Sequence, residues 1–243
     1  MNSHDLQPDF DAAPKGETIR VTARDGHVLD AYLSRPPRSG FTEAPRGGLV
    51  VAQEMYGLTR YLTAVCDLFA RHGYLTVAPA LYDRQQPGLV MAYTDADHDR
   101  AQVLFNAVSW DQALDDLDAA KAAVASAGKT GMIGFCWGGS LCWLAACRRD
   151  YAATIAYYGS AMPKHADEQA RCPVLANCGD KDASMPIASI RQFQAKQLGV
   201  TMNIFAGARH AFDNPLRGDN RFDPDASNAS RAATLAFLRA HVG

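Results

Sequence analysis

Residues 131–140 read Gly-Met-Ile-Gly-Phe-Cys-Trp-Gly-Gly-Ser. A short apolar run ends at the cysteine of this stretch, and a helix-like pattern follows it. A chain that turns this sharply from strand to helix needs small residues two positions before and two after the turn, and Gly134 and Gly138 occupy those positions. The pattern predicts a nucleophile elbow with the thiol of Cys136 at a helix N-terminus, where backbone N–H groups and the helix dipole stabilise a thiolate.

Strand-like and helix-like patterns alternate along the rest of the chain. The strand-like runs are residues 17–23, 28–34, 49–52, 74–78, 130–135, 154–158, 174–177 and 201–205. The clearest helix-like patterns are residues 62–72, 110–127, 140–148 and 227–241, and a long polar loop is predicted after residues 74–78. The turn signal Asp25-Gly26 joins the first two runs into an antiparallel hairpin. We therefore predict an α/β fold with a mostly parallel central sheet and helices on both faces.

Length and net charge limit the classes of protein and partner that fit this chain. A chain of 243 residues can form one α/β domain, 1–243, with a sizeable core. The net charge of -2 comes from interspersed acids and bases, which disfavours nucleic acid or a membrane surface as partner and favours a small molecule. Residues 1–10 lack the features of a signal peptide, and no apolar run approaches the roughly 20 residues that span a bilayer. We expect a cytoplasmic protein, either a monomer or a small homo-oligomer.

The cysteines and histidines give little sign of a disulfide framework or a metal site. The six cysteines show no Cys-x-x-Cys spacing, which in a chain of this size is typical of reduced core thiols. Apart from His210, the histidines are scattered without the short spacings that zinc ligands have. We expect neither a metal nor a cofactor.

Two later loops supply the partners that a cysteine nucleophile needs. Asp180 and Asp182 follow the seventh strand-like run, and His210 follows the eighth. Reactive groups collect beyond the carboxyl ends of parallel strands, and the order Cys136, Asp182, His210 is that of α/β-hydrolases. His210 would take the thiol proton or pair with the thiolate as an imidazolium, and Asp182 would orient the ring. Asp180 competes for the acid role, but Asp182 is preferred because it lies closer to the Met-Pro turn.

These residues resemble the dienelactone hydrolases, also called carboxymethylenebutenolidases, which are α/β-hydrolases with a cysteine nucleophile. The motifs that carry the resemblance, in order, are residues 53–57, 79–85, 134–139, 179–182 and 210–212. The resemblance extends from the hairpin to the last helix. It implies hydrolysis of a lactone or small carboxylic ester through an acyl-enzyme thioester. The expected substrate is a carboxylate-bearing enol lactone of the dienelactone type, giving an oxo-dicarboxylate such as maleylacetate.

The resemblance also implies roles that spacing alone does not assign. Glu54 matches the glutamate that contacts the cysteine in the resting enzyme and accepts its proton when substrate arrives. Arg84 matches an arginine that binds the substrate carboxylate. The backbone N–H groups of Trp137 and Met55 are the expected oxyanion-hole donors.

One position departs from the resembled family, and two other functions stay open. Asn214 stands where the well-studied branch of the family has a second carboxylate-binding arginine, and either Arg209 or Arg217 could replace that arginine. Tyr56 and Phe212 are expected to contact the substrate. The alternatives are a general carboxylesterase of broad specificity and a non-catalytic redox or ligand-sensing thiol protein on the same fold.

Overall fold

The computed structural model describes residues 6–37 and 44–243, within which the chain forms eight strands and six α-helices. Residues 1–5 of the polar N-terminus and residues 38–43 of the loop after the first hairpin lie outside the described residues. The chain divides into two compact units. Among the described residues, the N-terminal unit consists of residues 7–130 and 242–243, and the C-terminal unit consists of residues 131–241 together with Leu6.

The N-terminal unit has its strands in the order β1-β2-β4-β3. Its strands are β1 (Glu17–Thr22), β2 (Val28–Ser34), β3 (Gly47–Ala52) and β4 (Tyr74–Pro79), and its helices are α1 (Arg60–Arg71), α2 (Asp95–Ala107) and α3 (Trp110–Val124). β1 and β2 form the predicted antiparallel hairpin, β2 also pairs antiparallel with β4, and β3 pairs parallel with β4. Gly26 closes the hairpin turn with φ 85°, which glycine adopts without strain. All residues of β3 and β4 are buried, as their continuous apolar runs predict.

The C-terminal unit has a wholly parallel arrangement in the order β5-β6-β7-β8. Its strands are β5 (Thr130–Phe135), β6 (Ala153–Tyr157), β7 (Val174–Gly179) and β8 (Val200–Phe205), and its helices are α4 (Trp137–Arg148), α5 (Ile187–Lys196) and α6 (Pro224–His241). Parallel neighbours place their carboxyl ends at one edge, so the loops after β5, β7 and β8 open toward the same side. Those loops carry Cys136, Asp182 and His210.

One helix contradicts the sequence prediction. The polar stretch after β4 contains α2, whose N-terminus is capped by the side chain of Thr94 accepting the N–H of Asp97. Only Ala101 and Leu104 of this helix are buried. A helix with so narrow a buried face lacks the apolar periodicity by which helices are recognised in a sequence. The prediction of a loop was therefore wrong over residues 95–107.

The remaining elements agree with the predicted alternation, and the α/β class is confirmed. Most element ends lie within two or three residues of the predicted ones, and β5 coincides with its prediction. No helix in the described part of the chain combines the length and apolar character required to cross a bilayer. That residues 1–243 act as a single domain stays a prediction.

Candidate active site

The nucleophile elbow is formed by strained backbone between β5 and α4. Cys136 has φ 55° and ψ -111°, a conformation that side-chain-bearing residues rarely adopt. A Cβ on Gly134 would collide with the carbonyl oxygen of Gly138, so the strand and helix can pass only if that position is glycine. The N–H of Cys136 donates to the carbonyl of Tyr157 on β6 at 3.0 Å. Strain of this kind persists only where the surroundings fix it, and it is common at reactive residues.

The helix that follows begins directly after the thiol. Trp137 is the first residue of α4 and is buried. Backbone N–H groups in a first helical turn point along the axis and carry the positive end of the helix dipole. The thiol of Cys136 therefore lies at the end of a helix that favours negative charge, both on sulfur and on an oxyanion formed beside it.

His210 and Asp182 are hydrogen-bonded to each other. The Nδ1 of His210 lies 2.8 Å from Oδ2 of Asp182, whose side chain is fully buried. The other oxygen of Asp182 accepts two backbone N–H groups of the following turn, at 2.7 and 3.1 Å. Asp180, the competing acid, instead accepts the N–H of Gly207 at 2.7 Å. The carboxylate that contacts the histidine is thus the one preferred from the sequence.

The side chain of Cys136 also acts on the ring of His210. Burial lowers the pKa of His210, but the negative charge of Cys136 and hydrogen bonds to Asp182 and Cys136 outweigh burial and raise that pKa to about 10. At neutral pH this environment favours the imidazolium form of His210. The C-terminal unit therefore combines an imidazole hydrogen-bonded to a buried carboxylate with a thiol that raises the pKa of that imidazole.

Aromatic side chains pack behind the histidine. The ring of Tyr158 lies 5.1 Å from the ring of His210. Phe212 is fully buried, with Tyr158 and Phe205 each 5.3 Å from it between ring centroids. These contacts give Phe212 a place in the core, and its expected contact with substrate stays a prediction.

Glu54 is buried directly after β3, within a network of hydroxyl groups. It accepts the O–H of Tyr93 at 2.9 Å, and that hydroxyl lies 3.2 Å from the hydroxyl of Thr59. The ring of Tyr56 packs edge-on against Tyr93 at 4.9 Å, and its hydroxyl lies 3.1 Å from Nδ1 of His98. Neither Tyr93 nor His98 was predicted to belong to this network. Both lie in the stretch predicted as loop, where no periodic pattern indicates what a side chain faces.

Met55 continues the turn after β3. Its carbonyl oxygen accepts the O–H of Tyr82 at 2.7 Å. The turn closes at Gly57, which has φ 80°, a value that requires glycine in most turns. The expected role of the Met55 N–H as an oxyanion donor stays a prediction.

Arg84 is held by two aspartates of its own unit. Its Nε and Nη2 donate to Asp116 at 2.9 and 2.7 Å, and its Nη1 and Nη2 donate to Asp25 at 2.7 and 3.3 Å. The hydrogen bonds to Asp116 and Asp25 raise the pKa of Arg84, while the hydrogen bond from Arg84 lowers the pKa of Asp25 to about 2. Burial raises the pKa of Asp116, and Arg84 opposes that shift. One cation between two carboxylates leaves no positive excess to attract a third, so this geometry does not favour carboxylate binding.

In the loop after His210, polar and charged side chains form hydrogen bonds within the loop itself. Asn214 is buried, and its side-chain oxygen accepts the N–H of Leu216 at 2.9 Å, which caps the short 3-10 helix Pro215–Arg217. Arg217 donates to Asp219 at 3.2 Å, and Arg209 is exposed. Which of these arginines, if either, binds a substrate carboxylate stays a prediction. Within residues 6–37 and 44–243, no group of three or more His, Cys, Asp and Glu side chains could hold a metal ion.

Comparison with known proteins identifies the family. The model of the dienelactone hydrolase family matches residues 29–242. A protein of Azospirillum brasilense, provisionally named a carboxymethylenebutenolidase, is 30% identical over 236 residues, covering 93% of this chain and 99% of that protein. The carboxymethylenebutenolidase of Pseudomonas putida is 28% identical over 207 residues, covering 81% of this chain and 85% of that protein.

Solved structures agree on the fold. A Klebsiella pneumoniae protein, provisionally described as a dienelactone hydrolase, has a TM-score of 0.77 at 24% identity, covering 92% of this chain and 97% of that one. A dienelactone hydrolase-like promiscuous phosphotriesterase from metagenomic libraries has a TM-score of 0.74 at 20% identity and covers 94% of this chain. The fold is that of α/β-hydrolases, and the chain belongs to the dienelactone hydrolase family as a hydrolase of lactones or esters.

Proposed function

We propose that the chain cleaves lactones and small carboxylic esters with Cys136 as nucleophile, through an acyl-enzyme thioester. The observation that carries this proposal is the series Cys136, His210 and Asp182, in which Cys136 stands at a strained elbow and acts on the ring that Asp182 holds by a hydrogen bond. A redox or ligand-sensing thiol needs a stabilised thiolate, but it does not need a histidine oriented by a buried carboxylate. The series therefore favours a hydrolase over a sensor.

Acylation begins with attack of the Cys136 thiolate on the carbonyl carbon. The carbonyl oxygen becomes an oxyanion, for which the backbone N–H groups of Trp137 and Met55 are the proposed donors. The C–O bond then breaks, and the imidazolium of His210 gives its proton to the leaving oxygen. A lactone stays attached through its acyl end, whereas an open-chain ester releases its alcohol.

Deacylation requires a neutral histidine, and thioester formation provides it. The charge of Cys136 is among the causes that raise the pKa of His210, and that charge disappears when the sulfur is acylated. Burial then lowers the pKa of the ring with less opposition, so the ring can accept a proton from water. Hydroxide attack on the thioester releases the acid and restores the thiolate, while Asp182 keeps the ring oriented.

Glu54 is proposed as the partner of the resting thiol. A thiol that rests in its protonated form resists oxidation better than a thiolate does, because the thiolate is the reactive species. On this proposal Glu54 accepts the thiol proton once substrate is bound. Its burial directly after β3 is compatible with a carboxylate that meets substrate rather than bulk water.

The narrower candidate substrate is a carboxylate-bearing enol lactone of the dienelactone type, which would give an oxo-dicarboxylate such as maleylacetate. Its support is membership in the family and the name carboxymethylenebutenolidase of the relatives. A second candidate is a general carboxylesterase without a carboxylate requirement. The ion pairs of Arg84 with Asp25 and Asp116, together with the capping role of Asn214, favour this second candidate.

A matched pair of substrates separates the two candidates. We would compare a cis-dienelactone with its neutral carboxamide in the wild type, Cys136→Ala and Arg84→Ala. The ratio of kcat/KM values for the two substrates does not depend on the folded fraction, so it reports specificity even if Arg84→Ala is less stable. Preference for the carboxylate that disappears in Arg84→Ala supports the dienelactone assignment. If the wild type and Arg84→Ala both hydrolyse the two substrates equally well, the carboxylesterase is supported. Turnover that persists in Cys136→Ala would refute the proposed nucleophile.

A further inference from the structure

Helix α6 buries polar side chains as well as apolar ones. Ser227, Ser230, Arg231 and Thr234 are each at most 2% exposed. Their spacing of three and four residues places them along one side of the helix. Burying polar and charged groups is unfavourable unless each finds a hydrogen-bond partner, so this face is matched to particular groups of the unit.

The main partner of this face is Asp213, three residues after His210. Asp213 is fully buried and accepts the hydroxyl of Ser227 at 2.8 Å. It also accepts Nε and Nη2 of Arg231 at 3.2 and 2.7 Å. The same Nη2 donates to the backbone carbonyl of Asp213 at 3.0 Å. Arg231 therefore fixes both the side chain and the backbone of this residue.

The residues between Asp213 and the histidine form one tight turn. Ala211 has φ 64°, and the N–H of Asn214 donates to its carbonyl at 3.0 Å. The carbonyl of Phe212 accepts the N–H of Asp223 at 2.9 Å. Because the turn lies outside any strand or α-helix, its orientation depends on such contacts. The ring of His210 is held by Asp182, and the backbone that follows His210 is held by this anchored turn.

We propose that Asp213 and Arg231 are positioning residues, which hold the turn that carries His210 in register with Asp182 and Cys136. This inference rests on the proposed catalytic role of His210. Neither residue need touch substrate, since the effect passes through the backbone of residues 210–213. Small displacements of catalytic groups lower rates strongly, and a shift of about 1 Å can cost a hundredfold.

The same helix face also reaches the strand beside the nucleophile. Thr234 lies 2.8 Å from the hydroxyl of Tyr157, between the two oxygen atoms. The carbonyl of Tyr157 accepts the N–H of Cys136. α6 therefore contacts both Tyr157, whose carbonyl holds the N–H of Cys136, and the turn that carries the histidine. The arrangement agrees with a helix that orients the reacting side chains relative to one another.

The test uses the double variant Asp213→Asn/Arg231→Met, which removes both charges of the buried pair together. The control is Glu168→Gln/Arg148→Met, since these residues form a bidentate ion pair at 2.8 and 2.6 Å in the same unit. That pair is about 30% exposed and includes no residue of the histidine turn. We expect kcat to fall roughly tenfold to a hundredfold with KM changed less than twofold. We also expect the pKa of His210, followed by NMR of its ring, to fall below its value of about 10. The control should change neither quantity.

Ser227→Ala keeps the test decisive if the double variant does not fold. It deletes only the hydroxyl that donates to Asp213, and we expect a reduction of kcat by a few fold with a smaller drop in the same pKa. Folded variants that keep wild-type kcat and a wild-type pKa of His210 would overturn the positioning role. A loss shared equally by the control pair would overturn it as well.

One more variant separates this inference from the proposed function. If His210→Gln abolishes turnover while folded Asp213 and Arg231 variants remain fully active, only the positioning role fails. If His210→Gln is itself fully active, the proposed function fails, and the positioning role fails with it.

Discussion

Two buried carboxylates of this protein each hold a cation, and the two pairs differ in what the cation can do. Asp182 in the C-terminal unit holds His210, and Asp116 in the N-terminal unit holds Arg84. Both carboxylates are fully buried. The imidazole can release its proton near neutral pH when its surroundings change, whereas a guanidinium in a protein does not. The same arrangement of charges therefore supports proton transfer in one pair and a fixed structure in the other.

The difference is largest in activity. We expect Asp182→Asn to lower kcat about ten-thousandfold, because an amide can stabilise the wrong ring tautomer and no longer balances an imidazolium. The measurement is kcat on an activated ester at neutral pH. Asp180→Asn is the matched control, since the side chain of Asp180 accepts the backbone N–H of Gly207 and not the histidine, so this substitution should leave kcat nearly unchanged. Equal losses in the two variants would contradict the assignment of Asp182.

The Arg84 pair should matter most for stability. We expect Asp116→Asn to lower the free energy of unfolding by about 3 to 5 kcal/mol, because it leaves a nearly buried guanidinium short of charge compensation. Urea unfolding measures this loss. Asp25→Asn should cost far less, since the side chain of Asp25 is 46% exposed and water can replace it. If the two substitutions are equally destabilising, the burial of the aspartate does not determine how much its ion pair with Arg84 contributes to stability.

The pH dependence of stability should distinguish the two pairs next. The pKa of His210 is raised from an ordinary 6.5 to about 10 in the folded protein. A raised pKa stabilises the fold fully below the unfolded value, and this contribution is lost as pH rises toward 10. Arg84 stays charged across the same range. We expect an alkaline loss on the order of 1 to 3 kcal/mol in unfolding free energy between pH 6.5 and 10.

The control for the pH dependence of the unfolding free energy is Cys136→Ala. Removing the sulfur removes a negative charge and a hydrogen bond that raise the pKa of His210, so this pKa should fall. The alkaline loss of stability should then move to lower pH and become smaller. An unchanged pH profile in Cys136→Ala would mean that the thiol and the ring do not share a proton.

The smallest expected effect concerns the loop after the histidine. Asn214→Ala removes the side-chain acceptor for the N–H of Leu216 and should cost about 1 kcal/mol, measured by thermal unfolding. It should leave the ratio of activity on carboxylate and neutral lactones unchanged, because Asn214 supplies no charge. A change in that ratio would show that Asn214 contributes to substrate recognition after all.

The proposed triad could be named from the sequence because local rules indicate where each of its members lies. The glycines around Cys136 are required by sterics, and Asp182 and His210 each follow an apolar run that could only be a strand. The partners of Arg84 were not accessible. Asp25 and Asp116 are 59 and 32 residues away along the chain, and a pairing at that distance leaves no periodic pattern.

The burial of the polar residues of α6 could not be predicted for a related reason. Its serines, threonine and arginine are typical of a solvent-exposed helix, and only tertiary structure reveals that they are buried. The fold could therefore be predicted largely from apolar runs and turn residues. The ion pairs of Arg84 and Arg231 join elements distant in sequence, which a single chain does not disclose.

Because α6 comes late in the sequence, its position affects when the active site can be completed during translation. Ribosomes make α6 after Cys136, Asp182 and His210, so the nascent chain carries all three side chains before it contains the arginine that fixes the histidine turn. A reactive thiol assembled too early would be exposed to oxidants before its protein had folded. Because the last helix completes the support of the turn, chemical competence and completion of the C-terminal unit are expected to coincide.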